Sequence, residues 1–245
     1  MTATTRDHQL SAYQRRVDRA DWATIASEMD SFGCAVTPRL LTATEAIELT
    51  RLYDHAEAFR STVHMARHGF GEGEYRYFAH PLPDAIEELR HALYPHLLRI
   101  ARDWQEKLGR PAPWPDSLEA WLDMCHAAGQ TKPTPLMFKY GQGDWNALHR
   151  DLYGELVFPL QVVINLTTPE IDYTGGEFLL VEQRPRAQSR GTAVSLPCCQ
   201  GLVFTTRDRP VKSARGWSAS PVRHGVSVVR SGMRTTVGIL FHDAQ

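Results

Sequence analysis

The stretch TPLMFKYGQGDWNALHRDLYGELVFPLQVVINLT, residues 134–167, sets two apolar runs around a polar centre. TPLMFKY and FPLQVVINLT are rich in Val, Ile, Leu and Phe, have the length of strands, and are punctuated by Gly, Pro and Asp. The same texture continues through GGEFLLVE, GLVFTT, HGVSVV and RTTVGILFH, so from about residue 133 the chain reads as many short strands joined by turns. An antiparallel sheet has to bury its apolar face and hide its edges, which points to a sandwich or closed barrel of the jelly-roll kind.

Upstream the pattern is helical. TATEAIELTRLYDHAEAFRS begins with a Thr42 or Thr44 cap and repeats apolar residues at Ile47, Leu49, Leu52 and Tyr53. PDAIEELRHALYPHLLRIARDWQEKLG repeats the device, from Pro83 and Asp84 to Gly109, with Pro95 expected to kink or divide it. GCAVTP and EYRYFA are short extended pieces between the helices. The expectation is therefore an α+β chain forming one domain over residues 1–245. A mainly helical part, 1–130, packs on the outside of a strand-built core, 131–245.

A hydrophobic fraction of 42% and a charged fraction of 22% are ordinary for a globular protein, and the net charge of −1 recommends no partner. Its distribution is uneven. Residues 184–234 hold ten Arg or Lys and one acid, Asp208, a local balance of +9 against −10 for the remainder. MTATTRDHQLSAYQRRVDRADW has no apolar core of signal-peptide length, and no run reaches the roughly 18 apolar residues of a membrane span, so a cytoplasmic location is expected. Cys34, Cys125, Cys198 and Cys199 lack a C-x-x-C spacing and read as reduced thiols. Neighbours on a strand face opposite ways, which argues against Cys198 and Cys199 as a paired thiol site.

Chemistry concentrates at LHRDLYGE. On a strand His149 and Asp151 share a face while Arg150 points away, an arrangement that allows two ligands to reach one metal. The letters His-Arg-Asp-Leu also open a kinase catalytic loop. That reading requires an Asn where Leu156 stands, together with an Asp-Phe-Gly that is absent from the sequence. A second imidazole, His224, lies 75 residues downstream in VRHGVSVVRSGMRTTVGILFHDA, ahead of a strand, a turn at Ser231 and Gly232, and another strand opening with Arg234. Two imidazoles and one carboxylate form the set that holds ferrous iron by one face and leaves the other open. A guanidinium inside the same barrel needs an anion, since an unpaired buried charge is costly.

In order and spacing, His149, Asp151, His224 and Arg234 resemble the Fe(II)/2-oxoglutarate-dependent oxygenase superfamily. Tyr140, nine residues before the first His, the GGEFLLVE strand, and Gly232 two residues before Arg234 extend the likeness. Over most of the chain the sequence resembles the bacterial Oxygenase-NA group, whose name records a proposed oxidative demethylation of damaged nucleic acid. Arg150 departs from it, standing where Gln is expected between the ligands. The resemblance implies a double-stranded β-helix (a cupin-like jelly-roll) with Fe(II) held by His149, Asp151 and His224. It implies 2-oxoglutarate and O₂ as co-substrates, with Arg234, Tyr140, Asn165 and Thr236 around the 2-oxoglutarate.

Trp145, Asn146, Arg150 and Tyr153 surround the first ligand in sequence and are the candidates for the substrate mouth. A flat aromatic there can stack on a base, and the Arg-rich run can track phosphates. A prolyl or other amino-acid or metabolite substrate is the alternative, and a non-catalytic jelly-roll that senses a small acid is the rival from another class. His64 and His68 read as surface histidines, GFGEGEY does not read as a phosphate loop, and His242 and Asp243 read as structural.

Overall fold

The computed structural model describes residues 10–151, 154–183, 188–214 and 216–245. In chain order its elements are α1 (Ala12–Asp18), α2 (Trp22–Phe32), β1 (Cys34–Arg39), α3 (Ala43–Leu52), β2 (Phe59–His64), β3 (Gly71–Glu72), β4 (Glu74–Phe78), α4 (Asp84–Leu108) and α5 (Leu118–Ala127). The strand-rich part follows: β5 (Leu136–Tyr140), β6 (Trp145–His149), β7 (Leu160–Asn165), β8 (Tyr173–Gly175), β9 (Phe178–Glu182), β10 (Arg190–Val194), β11 (Gln200–Thr205), β12 (Asp208–Ser213), β13 (Gly216–Val226), β14 (Val229–Gly232) and β15 (Arg234–Ile239).

Two antiparallel sheets face each other. The larger runs β1-β11-β7-β15-β5-β4-β2, and the smaller runs β10-β9-β13-β6-β3 with β12 paired to β13. Alternation along the large sheet decides what goes where. Val162, Ile164, Val237, Ile239 and Met137 point outward and form one core with Leu89, Leu93, Leu97 and Trp104 of α4. Val163, Leu202 and Phe204 point inward against Phe178, Leu180 and Val222 of the small sheet. This is the α+β double-stranded β-helix with helices on its outer face. No helix among the described residues is long and apolar enough to cross a membrane.

Local chemistry accounts for the helix ends. Thr42 and Glu45 form a capping box, the Thr42 hydroxyl accepting the Glu45 N–H at 3.2 Å and the Glu45 carboxylate accepting the Thr42 N–H at 2.7 Å. Helix α4 is one continuous element of 25 residues with Pro95 inside it, contrary to the expected break. The carbonyl that Pro95 leaves unpaired belongs to His91, whose side chain is only partly covered, so water can reach that side of the helix.

Upstream of residue 130 the extended pieces GCAVTP and EYRYFA become β1 and β4, and the region lends strands to both sheets. β1 joins one edge of the large sheet through β11, β4 extends it beyond β5, and β3 adds an edge to the small sheet through β6. The expected turn at Ser231 and Gly232 is also displaced. Both residues lie in β14 and pair with Thr174 and Tyr173 of β8, while the chain leaves β13 at Ser227 and Val228. Gly232 has φ +78°, and a Cβ there would stand 2.0 Å from the Asp172 carbonyl oxygen, so this pairing tolerates no side chain.

Candidate active site

His149 and His224 stand directly opposite each other in the β6–β13 pair, so the register of two strands distant in sequence sets one imidazole against the other. Their ring centroids are 4.3 Å apart. Strand β6 ends at His149, and Asp151 lies just beyond it, tethered by a 3.3 Å hydrogen bond from its N–H to the Thr206 carbonyl. Shared strand parity is therefore not what aligns the two ligands. The Asp151 carboxylate lies 3.4 Å from His149 Nε2 and 3.0 Å from His224 Nε2, and one ligand atom from each residue falls within 4.8 Å of the others.

Each ligand is held from behind. His149 Nδ1 donates to the Ala147 carbonyl at 2.7 Å, which fixes the tautomer that leaves the Nε2 lone pair facing the site. The Gln161 amide donates to Asp151 Oδ2 at 2.6 Å. His224 is wedged between Phe178 and Phe204, with centroids at 5.9 and 4.8 Å.

Burial and charge act against each other here. Burial lowers the His224 pKa, which favours the neutral, ligating form. Burial alone would raise that of Asp151, yet His224 and His149 hold it well below the usual carboxylate range. His149 is drawn down by burial and raised on balance by the hydrogen bond and charge of Asp151. Two oriented imidazoles, a buried ionised carboxylate and an open cavity side fit a three-ligand face on an octahedral ferrous ion.

That cavity, about 410 Å³, lies between the sheets. Arg234 and Thr236 enter it from β15, beside Tyr140 and Phe138 of β5. Arg234 is 2% exposed, and its Nε and the Thr236 hydroxyl have no hydrogen-bond partner among the described residues. Gly176 leaves room for the guanidinium stem, since a Cβ there would lie 2.9 Å from Arg234 Cδ.

The other expected site residues divide. Asn146 lines the cavity and donates to the Tyr140 hydroxyl at 3.3 Å, because a bulge in β6 puts Asn146 and His149, three residues apart, on the same face. Arg150 is exposed and belongs to the cavity lining, as do the exposed Leu148 and Phe70. Trp145 is outside the lining, turned away by the same bulge and 39% exposed. Asn165 is also outside the lining, and its amide donates to the Tyr173 hydroxyl at 2.9 Å and the Leu196 carbonyl at 2.6 Å. Tyr153 lies outside the described residues. His64 and His68 are exposed, as expected of surface histidines.

Three participants escaped the sequence reading. Gln161 is a lone amide in an apolar strand, and its inward period-two position relative to Val163 and Asn165 was the available signal. Tyr75 and Tyr77 line the cavity because β4 pairs with β5, placing Tyr75 opposite Phe138 and Tyr77 opposite Leu136.

Residues 73–244 match the Oxygenase-NA family, described as "Oxygenase, catalysing oxidative methylation of damaged DNA". The chain belongs to the Oxygenase-NA family. An uncharacterized protein of Mycobacterium tuberculosis strain H37Rv is 72% identical over 167 residues, which cover 68% of this chain and 72% of that one. Among solved structures, a prolyl-4-hydroxylase of Pseudomonas putida superposes with a TM-score of 0.53 at 13% identity, over 91% of this chain and 99% of its own. A 2OG-Fe(II) oxygenase-family oxidoreductase of Burkholderia pseudomallei gives 0.50 at 18% identity, over 91% and 92%. At such identities the likeness is one of fold. This Oxygenase-NA member is thus an enzyme of the 2OG-Fe(II) oxygenase fold, with the facial triad His149, Asp151 and His224.

Proposed function

We propose that the protein uses Fe(II), 2-oxoglutarate and O₂ to hydroxylate a methyl group on a damaged nucleic-acid base, the methyl then leaving as formaldehyde. The observation that carries the co-substrate half is Arg234. It is a buried cation on the cavity wall with no carboxylate partner among the described residues and an unpartnered Nε, and the free Thr236 hydroxyl stands beside it. A dicarboxylate supplies the missing anion, and the guanidinium fork matches one carboxylate with two parallel hydrogen bonds.

Iron at His149, Asp151 and His224, with 2-oxoglutarate, supplies oxidative decarboxylation to succinate and CO₂ coupled to oxidation of a substrate C–H bond. The chain's own residues orient and enclose. Gln161 fixes the Asp151 carboxylate and Ala147 fixes the His149 ring. Tyr140, steadied by Asn146, closes the wall over the Arg234 guanidinium, which lies 5.7 Å from its ring. Phe178 and Phe204 keep water from the back of His224.

For the substrate, support comes from the family's description and from the cavity's character. Tyr75, Phe138 and Phe70 offer aromatic faces, Asp151 is the one acid in the lining, and exposed Arg150 in the same lining suits a phosphate. The Arg-rich run contributes less than its count suggests. Arg209 and Arg190 are engaged by Glu182, and Arg234 is inside the cavity. Arg184, Arg186 and Arg215 lie outside the described residues, which leaves Arg207, Lys212, Arg223 and Arg230 exposed. This thinning of the basic surface favours the second reading, an uncharged amino-acid side chain such as a prolyl residue.

Succinate formation should require 2-oxoglutarate, Fe(II) and O₂ together, and fall to the enzyme-free background in His149→Ala and Asp151→Ala. Turnover persisting in both variants would remove the iron site. Formaldehyde released from N-methylated oligonucleotides supports the nucleic-acid reading. Turnover stimulated by prolyl peptides and by no oligonucleotide replaces it with the second.

A further inference from the structure

Cys198 and Cys199 sit in the turn between β10 and β11, where Cys199 adopts φ +67°. On a strand their side chains would diverge; in this turn their Sγ atoms are 3.5 Å apart. Cys199, which joins this turn to β11, is tied to the end of β7. Cys199 donates its N–H to the Asn165 carbonyl at 2.8 Å, and its carbonyl accepts the N–H groups of Leu40 and Leu41 at 2.9 and 3.4 Å. The Asn165 amide in turn donates to the Tyr173 hydroxyl at 2.9 Å, and Tyr173 and Arg234 pack together over Gly176. A short chain of contacts thus runs from the thiols to the buried cation.

We propose that Cys198 and Cys199 are a reversible oxidation site, closing to a vicinal disulfide with peroxide and thereby loosening the Asn165 and Tyr173 packing that supports Arg234 and weakening 2-oxoglutarate binding. The coupling half of this inference rests on the reading of Arg234 as the co-substrate anchor.

Cys198 is the partly exposed member and the one a peroxide can reach. Its thiolate attacks one peroxide oxygen, the O–O bond breaks, and hydroxide leaves, giving a sulfenic acid. The Cys199 sulfur then attacks the Cys198 sulfur. The S–S bond forms, the S–O bond breaks, and the departing hydroxide takes up the Cys199 proton as water. Two thiols have given two electrons and two protons, and one hydrogen peroxide has become two waters. Burial, with the neighbouring thiol adding to it, pushes the Cys199 pKa up to about 11, which suits it to the second step and not the first.

Geometry supplies both the leverage and the reversibility. Adjacent Cα atoms are ~3.8 Å apart across a trans peptide, closer than the ~4.4–6.8 Å usual for bridged cysteines. Closing the ring therefore has to distort the 198–199 peptide, whose N–H is the one held by Asn165. Strain of that kind makes a disulfide easier to reduce, as a switch requires.

The test uses the full-length protein, loaded with Mn(II) as a redox-silent stand-in and treated with hydrogen peroxide. Unreduced peptide mass spectrometry should show the loss of two hydrogens on the peptide containing Cys198 and Cys199. Calorimetric titration should show 2-oxoglutarate bound roughly tenfold more weakly, with recovery after dithiothreitol and no peroxide effect in Cys198→Ser. Failure of the disulfide to form at peroxide levels that oxidise free cysteine overturns the site. A disulfide that leaves affinity unchanged overturns the coupling alone. If the reduced protein binds no 2-oxoglutarate, the coupling falls together with the reading of Arg234.

Discussion

Three arginines are buried to the same degree, and their surroundings divide them. Arg90 on α4 donates to Asp243 Oδ1 at 2.8 Å and to the Leu240 carbonyl at 2.7 Å, and Arg209 reaches Glu182 at 2.9 Å. Arg234, equally enclosed, has the Tyr140 ring 5.7 Å away and no carboxylate within ion-pair distance among the described residues. Taking a guanidinium out of water costs several kcal/mol unless an anion offsets it. Where the offset is within the chain, the charge is structural. On the proposed function, the offset at Arg234 comes from an anionic ligand in the cavity whose wall it forms. The two ends of β15 are thereby distinguished: Arg234 opens the strand on the cavity wall, and Arg90 grips the chain just past its far end at Leu240.

The comparison breaks most visibly at Arg90. Arg90→Met leaves Asp243 with His126 as its remaining ionic partner and the Leu240 carbonyl without a donor. Removing one member of a buried pair costs about 3–5 kcal/mol, on the order of 10 °C in melting temperature for a chain of this size. Scanning calorimetry checks this, and a melting temperature within a degree of the parent would show the pair to be dispensable.

Arg234→Met should do the reverse. Replacing an unpaired buried cation by an apolar side chain of similar volume leaves stability unchanged or raises it. The 2-oxoglutarate concentration for half-maximal succinate formation should meanwhile rise about 100-fold, the loss of a charge-assisted, bidentate contact worth roughly 3 kcal/mol. If Arg234→Met melts as early as Arg90→Met with co-substrate affinity intact, Arg234 is structural and the division between the two ends disappears.

What the sequence discloses follows the same line between local and non-local physics. The Thr42–Glu45 capping box, the start of α4 at Asp84 and the alternation in FPLQVVINLT depend on neighbours within one turn or one strand, and all are readable from the letters. His149 and Asp151 are readable by spacing, though a tether to Thr206 and not a shared strand aligns them. Of Trp145 and Asn146, both expected at the substrate mouth, Asn146 lines the cavity and Trp145 does not, because one bulge in β6 reverses strand parity and no letter announces a bulge. Tyr75, Tyr77 and Gln161 join the site through the pairing of β4 with β5 and through the reach of Gln161 from β7 to Asp151, which only the assembled sheet fixes. Strand parity sets the Cys198 and Cys199 side chains apart, but the two residues occupy a turn, which brings them together.

The mildest case lies between the extremes. Arg16 and Glu45 form a two-pronged pair, 2.6 and 2.8 Å, at the partly covered start of α3. The Arg16 hydrogen bond, against the opposing effect of burial and aided by the Thr42 N–H, lowers the Glu45 pKa from its ordinary 4.5 to about 2. A depressed carboxylate stabilises the fold fully above its unfolded pKa, and that contribution is lost as the pH falls through the folded one. Glu45→Gln should therefore melt earlier than the parent at pH 7, by a difference worth about 1 kcal/mol or less given the solvent access. The gap should narrow between pH 4.5 and about 2, as the parent's carboxylate takes up its proton. Thermal melts of both proteins at neutral pH and across that window decide it. A gap that stays constant down to pH 2 would assign the stabilisation to the neutral hydrogen bonds of the cap and remove charge from the account at this end of the series.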